Sequence, residues 1–399
     1  MGIIRFLLAL SVVLYHLRFT MGDNVVPLVN FGVRGAEAVQ VFFIISGFYM
    51  ALVLNGKYGA GFKSYWLFIS NRYLRLYPTY IATVLLSLGL CLVMRIAKTT
   101  PFGTYWSWLY SWSYAPYRPP VWEKIVLAFS NLFIVGQDWT FYFGITKGTG
   151  HLAWMWNYSA MPGAIISARD YMLTPQAWTL STELTFYVLA PFLVRKKSLW
   201  ISTLIVCSLV LRIWLTGIFG EKNLNFYYRF FPTELAFFAA GALAYKLYVK
   251  LKPASLSTIT GAGLLILMTG FILICPIFGQ RFYFFTAFTL ALPFIFNVTR
   301  ENKWDRLIGE LSYPLYMIHW FMLTVCKALF SLPKIHLQGV PLLVVTVSSC
   351  VIASILIVLV IELPMEKWRA SRFKKATQPP QEPPLDHVAA TVTGPQKNL

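Results

Sequence analysis

The chain has 399 residues, is 57% hydrophobic and only 12% charged, about half the charge of an ordinary soluble domain. Several apolar runs reach the ~20 residues that cross a bilayer core, which excludes a soluble protein and predicts an all-α, polytopic membrane bundle. The net charge of +19 comes without a zinc-finger or basic-zipper pattern, so nucleic acid is not an expected partner and the bilayer is.

Ten apolar segments read as transmembrane helices, at 3–20, 37–54, 73–96, 178–194, 199–219, 226–249, 257–279, 281–298, 311–331 and 340–361. The first has no small-residue cleavage site behind it and reads as a retained helix. With the N-terminus inside, Lys and Arg collect in alternate loops, among them Lys57 and Lys63, Arg195–Lys197, Arg300–Arg306 and Lys367–Lys375. That alternation is what the positive-inside bias predicts, and it puts both termini in the cytoplasm of a multi-pass protein of the cell's inner or plasma membrane. Residues 1–375 form one transmembrane domain. The Pro-rich segment 376–399 reads as a disordered cytoplasmic tail.

The segment 97–177 then lies outside. Its stretch Val121–Phe143 is apolar enough for a re-entrant or interfacial helix, or for one of an extra pair of spans. An aromatic belt at the lipid surface and a lid over an acceptor site are both consistent with its Trp and Tyr content. The five cysteines (Cys91, Cys207, Cys275, Cys326 and Cys350) lie in or beside apolar runs without metal-ligand spacing, so they read as small core residues and no metal is expected. No inverted repeat of the transporter type is visible.

Ionisable side chains inside a membrane are costly and point to function. In the first helix Arg5 and His16 are eleven residues apart, within ~20° of one face and ~16 Å apart along the axis. A neutral His can take a proton from an attacking hydroxyl; a His hydrogen-bonded to a neighbouring helix is the plain alternative. The second helix carries Phe42-Phe43 and Ser46-Gly47-Phe48, where Gly47 admits another backbone or a thin ligand. Arg72 and Arg75 sit one turn apart at the start of the third helix, followed by Tyr77-Pro78, as snorkelling anchors or as an anion site. The fourth helix opens with Trp178-Thr179-Leu180-Ser181-Thr182-Glu183 and continues through Phe186-Tyr187. Glu183 is placed there to orient a histidine or to bind acceptor hydroxyls. Arg229 and Glu234 follow near the same level, with a structural ion pair as the plain reading. Ser312, Tyr316 and His319 line one stripe of the ninth helix, where a polar seam between helices is the bland account.

Together these motifs resemble the membrane acyltransferase 3 family, whose members move acyl groups onto sugars and related envelope molecules. Arg5 and His16 reproduce its Arg-ten residues-His signature. Phe42-Phe43 through Phe48, Arg72 and Arg75 with Tyr77-Pro78, Trp178–Glu183 with Phe186-Tyr187, and Ser312-Tyr313 through His319-Trp320 resemble its other motifs, in order along nearly the whole hydrophobic part. Two positions depart: Gln40 stands where an acidic residue is frequent, and Leu184 where a second carboxylate follows Glu183. A multi-carboxylate relay is therefore not expected.

The resemblance implies an O-acyltransferase, with acetyl-CoA or another acyl-CoA as a cytoplasmic donor substrate, no permanently bound cofactor, and a saccharide or glycan acceptor outside. It implies His16 as general base with Glu183 as its partner, and Arg5, Arg72, Arg75, Ser46 and Gly47 at the donor site. Trp178, Ser181, Tyr187, Arg229 and His319 are the candidate acceptor-binding residues. A covalent acyl-histidine step stays open. The rival readings are a transporter or flippase of a lipid-linked sugar and a non-catalytic assembly partner.

Overall fold

The protein is described by a computed structural model covering residues 1–21, 32–96, 119–146, 149–155, 165–220, 225–251, 257–274, 281–330 and 337–377. A helix forms over each of the ten predicted apolar segments. In chain order these are α1 (Gly2–Met21), α2 (Gly35–Gly56), α3 (Phe62–Ile96), then a short α4 (Val121–Phe133), α5 (Trp178–Leu193), α6 (Ser198–Phe219), α7 (Phe231–Lys250), α8 (Thr258–Ile274), α9 (Arg281–Thr299), α10 (Lys303–Phe330) and α11 (Gly339–Ile357). A final helix, α12 (Leu363–Thr377), continues α11 through a π-helical turn at Val358–Glu362. Pro364 explains that turn, because its ring would clash with the carbonyl four residues back in a regular α-helix. Among the described residues, four helical stretches are long and apolar enough to cross a membrane: Gly35–Gly56, Phe62–Val93, Ser198–Phe219 and Gly339–Thr377.

The boundaries depart from expectation where polar turns continue the helices. α3 begins at Phe62 rather than near 73, α10 at Lys303 rather than 311, and the last helix runs on to Thr377 rather than ending near 361. The predicted tail from 378 onward, and Cys275, lie outside the described residues. Cys91, Cys207, Cys326 and Cys350 are free thiols.

The described residues are helical as expected, apart from one small sheet. Within the segment 97–177 a small antiparallel sheet forms, with β1 (Phe143–Thr146) between β2 (Leu152–Trp154) and β3 (Ile165–Ser167). The helix beside it, α4, has only 13 residues, ~20 Å, too short to be one of an extra pair of spans. Its faces are reversed relative to a soluble helix. Glu123, Leu127, Ser130 and Asn131 are buried, whereas Val121, Trp122, Ile125 and Phe129 are exposed. Tyr80 of α3 pins this segment to the bundle by donating to the Asn131 carbonyl and accepting from Gln137 Nε2 at 2.7 Å.

Glycines set the two closest helix pairs. α2 packs along α7 and α1 along α10. A Cβ on Gly47 would lie 2.0 Å from the Phe238 carbonyl oxygen, and one on Gly241 would lie 1.9 Å from that of Ile44. Backbones this close need small residues at the crossing. Gly2 and Gly309 do the same for α1 and α10, where a Cβ on Gly309 would lie 2.7 Å from the Gly2 Cα.

Candidate functional site

The approach of α1 to α10 fixes the register of the pair. The Asp305 carboxylate accepts from the backbone N–H of Gly2 at 2.6 Å and of Ile3 at 2.9 Å. A carboxylate at a helix N-terminus satisfies orphan donors and complements the helix dipole. Gly2 is thereby set beside Asp305. Fourteen residues further along both helices, ~21 Å away, His16 meets His319.

The two imidazoles are linked by a hydrogen bond, Nε2 of His319 to Nδ1 of His16, at 3.2 Å. Their rings stack with centroids 5.1 Å apart, and Trp320 closes on His16 at 4.7 Å. The other nitrogen of His319, Nδ1, lies 2.5 Å from the Tyr316 carbonyl. A carbonyl only accepts, so Nδ1 of His319 carries the proton. In the neutral ring its Nε2 is then an acceptor, and His16 must donate through Nδ1–H. That leaves His16 Nε2 as a lone pair without a protein partner among the described residues. The structure thus gives His16 a histidine partner. Glu183, the predicted partner, is elsewhere.

Glu183 lies in a cavity of about 730 Å³ toward the Arg5 end of α1, within the size range of ligand pockets. Arg5, Arg72, Arg75, Ser46 and Tyr187 also line it. Glu183 accepts from Ser46 Oγ at 2.7 Å and from the Tyr187 hydroxyl. None of Arg5, Arg72 and Arg75 has a carboxylate within salt-bridge distance among the described residues, and Arg75 repels both of the others. Arg72 Nε is buried without a hydrogen-bond partner. Glu183 and Glu362 on the same lining attract Arg75 from beyond salt-bridge range, but none of the three guanidinium groups is directly paired with a carboxylate among the described residues, and such forks fit a polyanionic ligand such as the phosphates of a nucleotide.

Phe42, Thr179 and Tyr316 also line the cavity. The Tyr316 hydroxyl lies 3.0 Å from Thr179 Oγ1 and donates to the Gln176 carbonyl at 3.3 Å. His319 is three residues beyond Tyr316, ~4.5 Å further along α10. The histidine pair therefore sits one turn past the last residue of α10 that lines the arginine cavity.

Other predicted site residues separate by surroundings. Gly47 faces α7 and not the cavity, so its role is helix packing; its lack of a side chain had suggested either. Tyr187 was expected with the acceptor and lies instead in the arginine cavity. Trp178 packs on Tyr228 with ring centroids 4.9 Å apart. The Arg229 guanidinium lies 4.3 Å over the Phe141 ring and 5.7 Å over Trp178, and Arg229 donates to Asn225 at 3.1 Å. The expected pairing of Arg229 with Glu234 does not form. Glu234 is bound by Arg212 at 2.9 Å and by Gln40 Nε2 at 3.1 Å. Arg212 was missed, although a lone Arg inside an apolar run was itself the signal. Ser181 donates to Asp138 Oδ1 at 2.6 Å. Burial holds the Asp138 carboxyl above the usual carboxylate range against that hydrogen bond.

The geometry now stands beside what other proteins share with the chain. No curated protein and no solved structure matches it. The family described as "Acyltransferase domain" matches residues 1–361, which include the histidine pair and most of the arginine cavity. The chain belongs to that family and is a multi-pass membrane acyltransferase.

Proposed function

We propose that the protein is an O-acyltransferase that carries an acyl group, acetyl by default, from cytoplasmic acyl-CoA to a hydroxyl of a saccharide on the other side of the membrane. The observation that carries this reading is His16, whose bare Nε2 sits one helical turn past an arginine-lined cavity. On this reading the loop charges place the Arg5 end of the bundle inside and the ten apolar helices span the cell membrane. The phosphates of the donor bind Arg5, Arg72 and Arg75, and its slim arm passes Tyr316 to bring the thioester to His16.

His16 Nε2 takes the proton as the acceptor oxygen bonds to the thioester carbonyl carbon. The carbon–sulfur bond breaks as the tetrahedral intermediate collapses, and the departing sulfur takes the proton from the imidazolium. His319 orients the base through the Nδ1–H bond. Glu183 balances the arginine charge and positions Tyr187. Trp178 and Arg229 offer an aromatic face and a cation to the acceptor, and the apolar face of α4 rests in the outer lipid interface.

The test is acetyl transfer by purified His16→Ala and Arg75→Ala proteins shown to be folded. His16→Ala is expected to lose a factor of ~10²–10⁴ in turnover, the range for a positioned general base, while still binding CoA. Arg75→Ala is expected to bind CoA weakly. Wild-type turnover in folded His16→Ala protein refutes the assignment.

A further inference from the structure

The family match ends at residue 361, yet the cavity does not. Beyond that point Glu362, Leu363, Glu366, Arg369 and Phe373 also line it. Glu362, Glu366, Arg369 and Phe373 follow the spacing i, i+4, i+7, i+11, one face of a helix, so α12 turns a whole stripe toward the cavity while Trp368 on its other side is half exposed.

That helix is fastened in place. Arg372 donates to Asn71 Oδ1 at 3.2 Å and to Ser70 Oγ at 3.0 Å, both on α3. The Phe373 ring meets Tyr58 edge-on at 5.3 Å. Thr79 donates to Glu362 at the π-helical turn. These contacts bring Arg369 into electrostatic range of Arg72 and Arg75, which repel it, and of Glu362 and Glu366, which attract it. Its Nε is buried without a hydrogen-bond partner, and no carboxylate stands within salt-bridge distance of it among the described residues.

We propose that α12 is a wall of the donor site and that Arg369 is a further phosphate-binding arm of it, acting with Arg72 and Arg75 on the phosphates of an acyl-CoA. The inference rests on the donor reading above. Lys367, Lys374 and Lys375 lie off the cavity stripe and suit lipid headgroups. Arg369 instead lines the cavity that Arg5, Arg72 and Arg75 also line, and its planar donor fork suits phosphate oxygens.

The experiment titrates CoA onto the full chain in nanodiscs of purely zwitterionic lipid, so that anionic headgroups do not compete. Arg369→Gln is expected to weaken CoA binding about ten- to hundredfold, the range for losing a charge-assisted hydrogen bond. Arg372→Ala, which loosens α12 without touching the cavity, is expected to weaken it by a smaller factor. Arg369→Lys keeps the charge but loses the fork, and is expected to fall between wild type and the Gln variant; it carries the test if the Gln variant does not fold. CoA binding by Arg369→Gln or Arg369→Lys equal to wild type overturns the proposal. So does a Gln variant that loses only the retention of added anionic lipid. Wild-type protein that binds no CoA overturns the donor reading itself, a result distinct from both.

Discussion

Replacing His319 by Phe keeps an aromatic ring between α1 and α10 but removes the nitrogen that accepts from His16 Nδ1–H at 3.2 Å. Two losses follow. A neutral hydrogen bond contributes ~0.5–1.5 kcal/mol, and a buried donor left unsatisfied costs ~1–3 kcal/mol. The second loss is softened because the Val12 carbonyl, one turn back on α1, also engages the His16 ring. A net loss of ~1.4–2.8 kcal/mol in the orientation of the base is therefore expected, which is a ten- to hundredfold fall in turnover at ~1.4 kcal/mol per decade.

The assay is acetyl transfer under saturating donor, with CoA binding measured in parallel. His319 does not line the arginine cavity, so turnover is expected to fall while CoA affinity holds. His319→Gln restores a carbonyl acceptor near the lost nitrogen and is expected to recover most of the activity, which simple repacking would not do. Wild-type turnover in folded His319→Phe, or an equal loss in the Gln and Phe variants, would refute the orienting role.

Gly47→Ala is expected to destabilise the protein by ~1–3 kcal/mol, as overpacking does, because the new Cβ meets the Phe238 carbonyl. Gly56→Ala, with nothing within 4 Å of its Cβ, serves as the neutral control in thermal unfolding. Arg212→Met leaves Glu234 a buried charge without its guanidinium, and a loss of ~3–5 kcal/mol is expected from breaking such a pair. Arg212→Met with Glu234→Leu should recover much of the folded yield. On the outer segment, Glu123 accepts from His151 at 2.7 Å, which holds its carboxyl below the usual range. A depressed carboxyl contributes stability above its unfolded value and loses it as pH falls through the folded one. Limited proteolysis of this segment should rise as pH drops below ~4, the ordinary glutamate range, and His151→Ala should show the higher cleavage already at neutral pH.

The helices were legible because ~20-residue apolar runs leave few alternatives for a backbone that must satisfy its own hydrogen bonds in lipid. Their ends were not, since the turns at Phe62, Lys303 and Leu363 continue the helices through polar and exposed residues that an apolar run does not report. Arg5, Arg72 and Arg75 could be singled out because each is an ionisable group in or beside an apolar run, but that pattern does not say which of them meet. It also misled in pairing. Glu183 appeared to be the natural partner for His16, and Arg229 for Glu234, because no sequence pattern reveals that residue n of α1 lies beside residue n + 303 of α10. That offset is set by Asp305 on the backbone of Gly2 and Ile3, and by Gly2 against Gly309. The sequence offers no local signal for either contact.

The same offset explains why a histidine, rather than a carboxylate, is a suitable partner for His16. At this depth an ionised carboxylate would bear a desolvation cost that only a well-matched cation repays, as Arg212 does for Glu234. A neutral imidazole accepts the same hydrogen bond without that charge, provided its own proton is fixed elsewhere. The Tyr316 carbonyl does this. Tyr316 thereby serves both sides: its side chain lines the arginine cavity and bonds Thr179, and its backbone sets the tautomer of His319 and, through it, that of His16. On the proposed mechanism the first role belongs to the side chain and the second to the main chain, so a side-chain movement that admits a thioester leaves the tautomer of His16 unchanged.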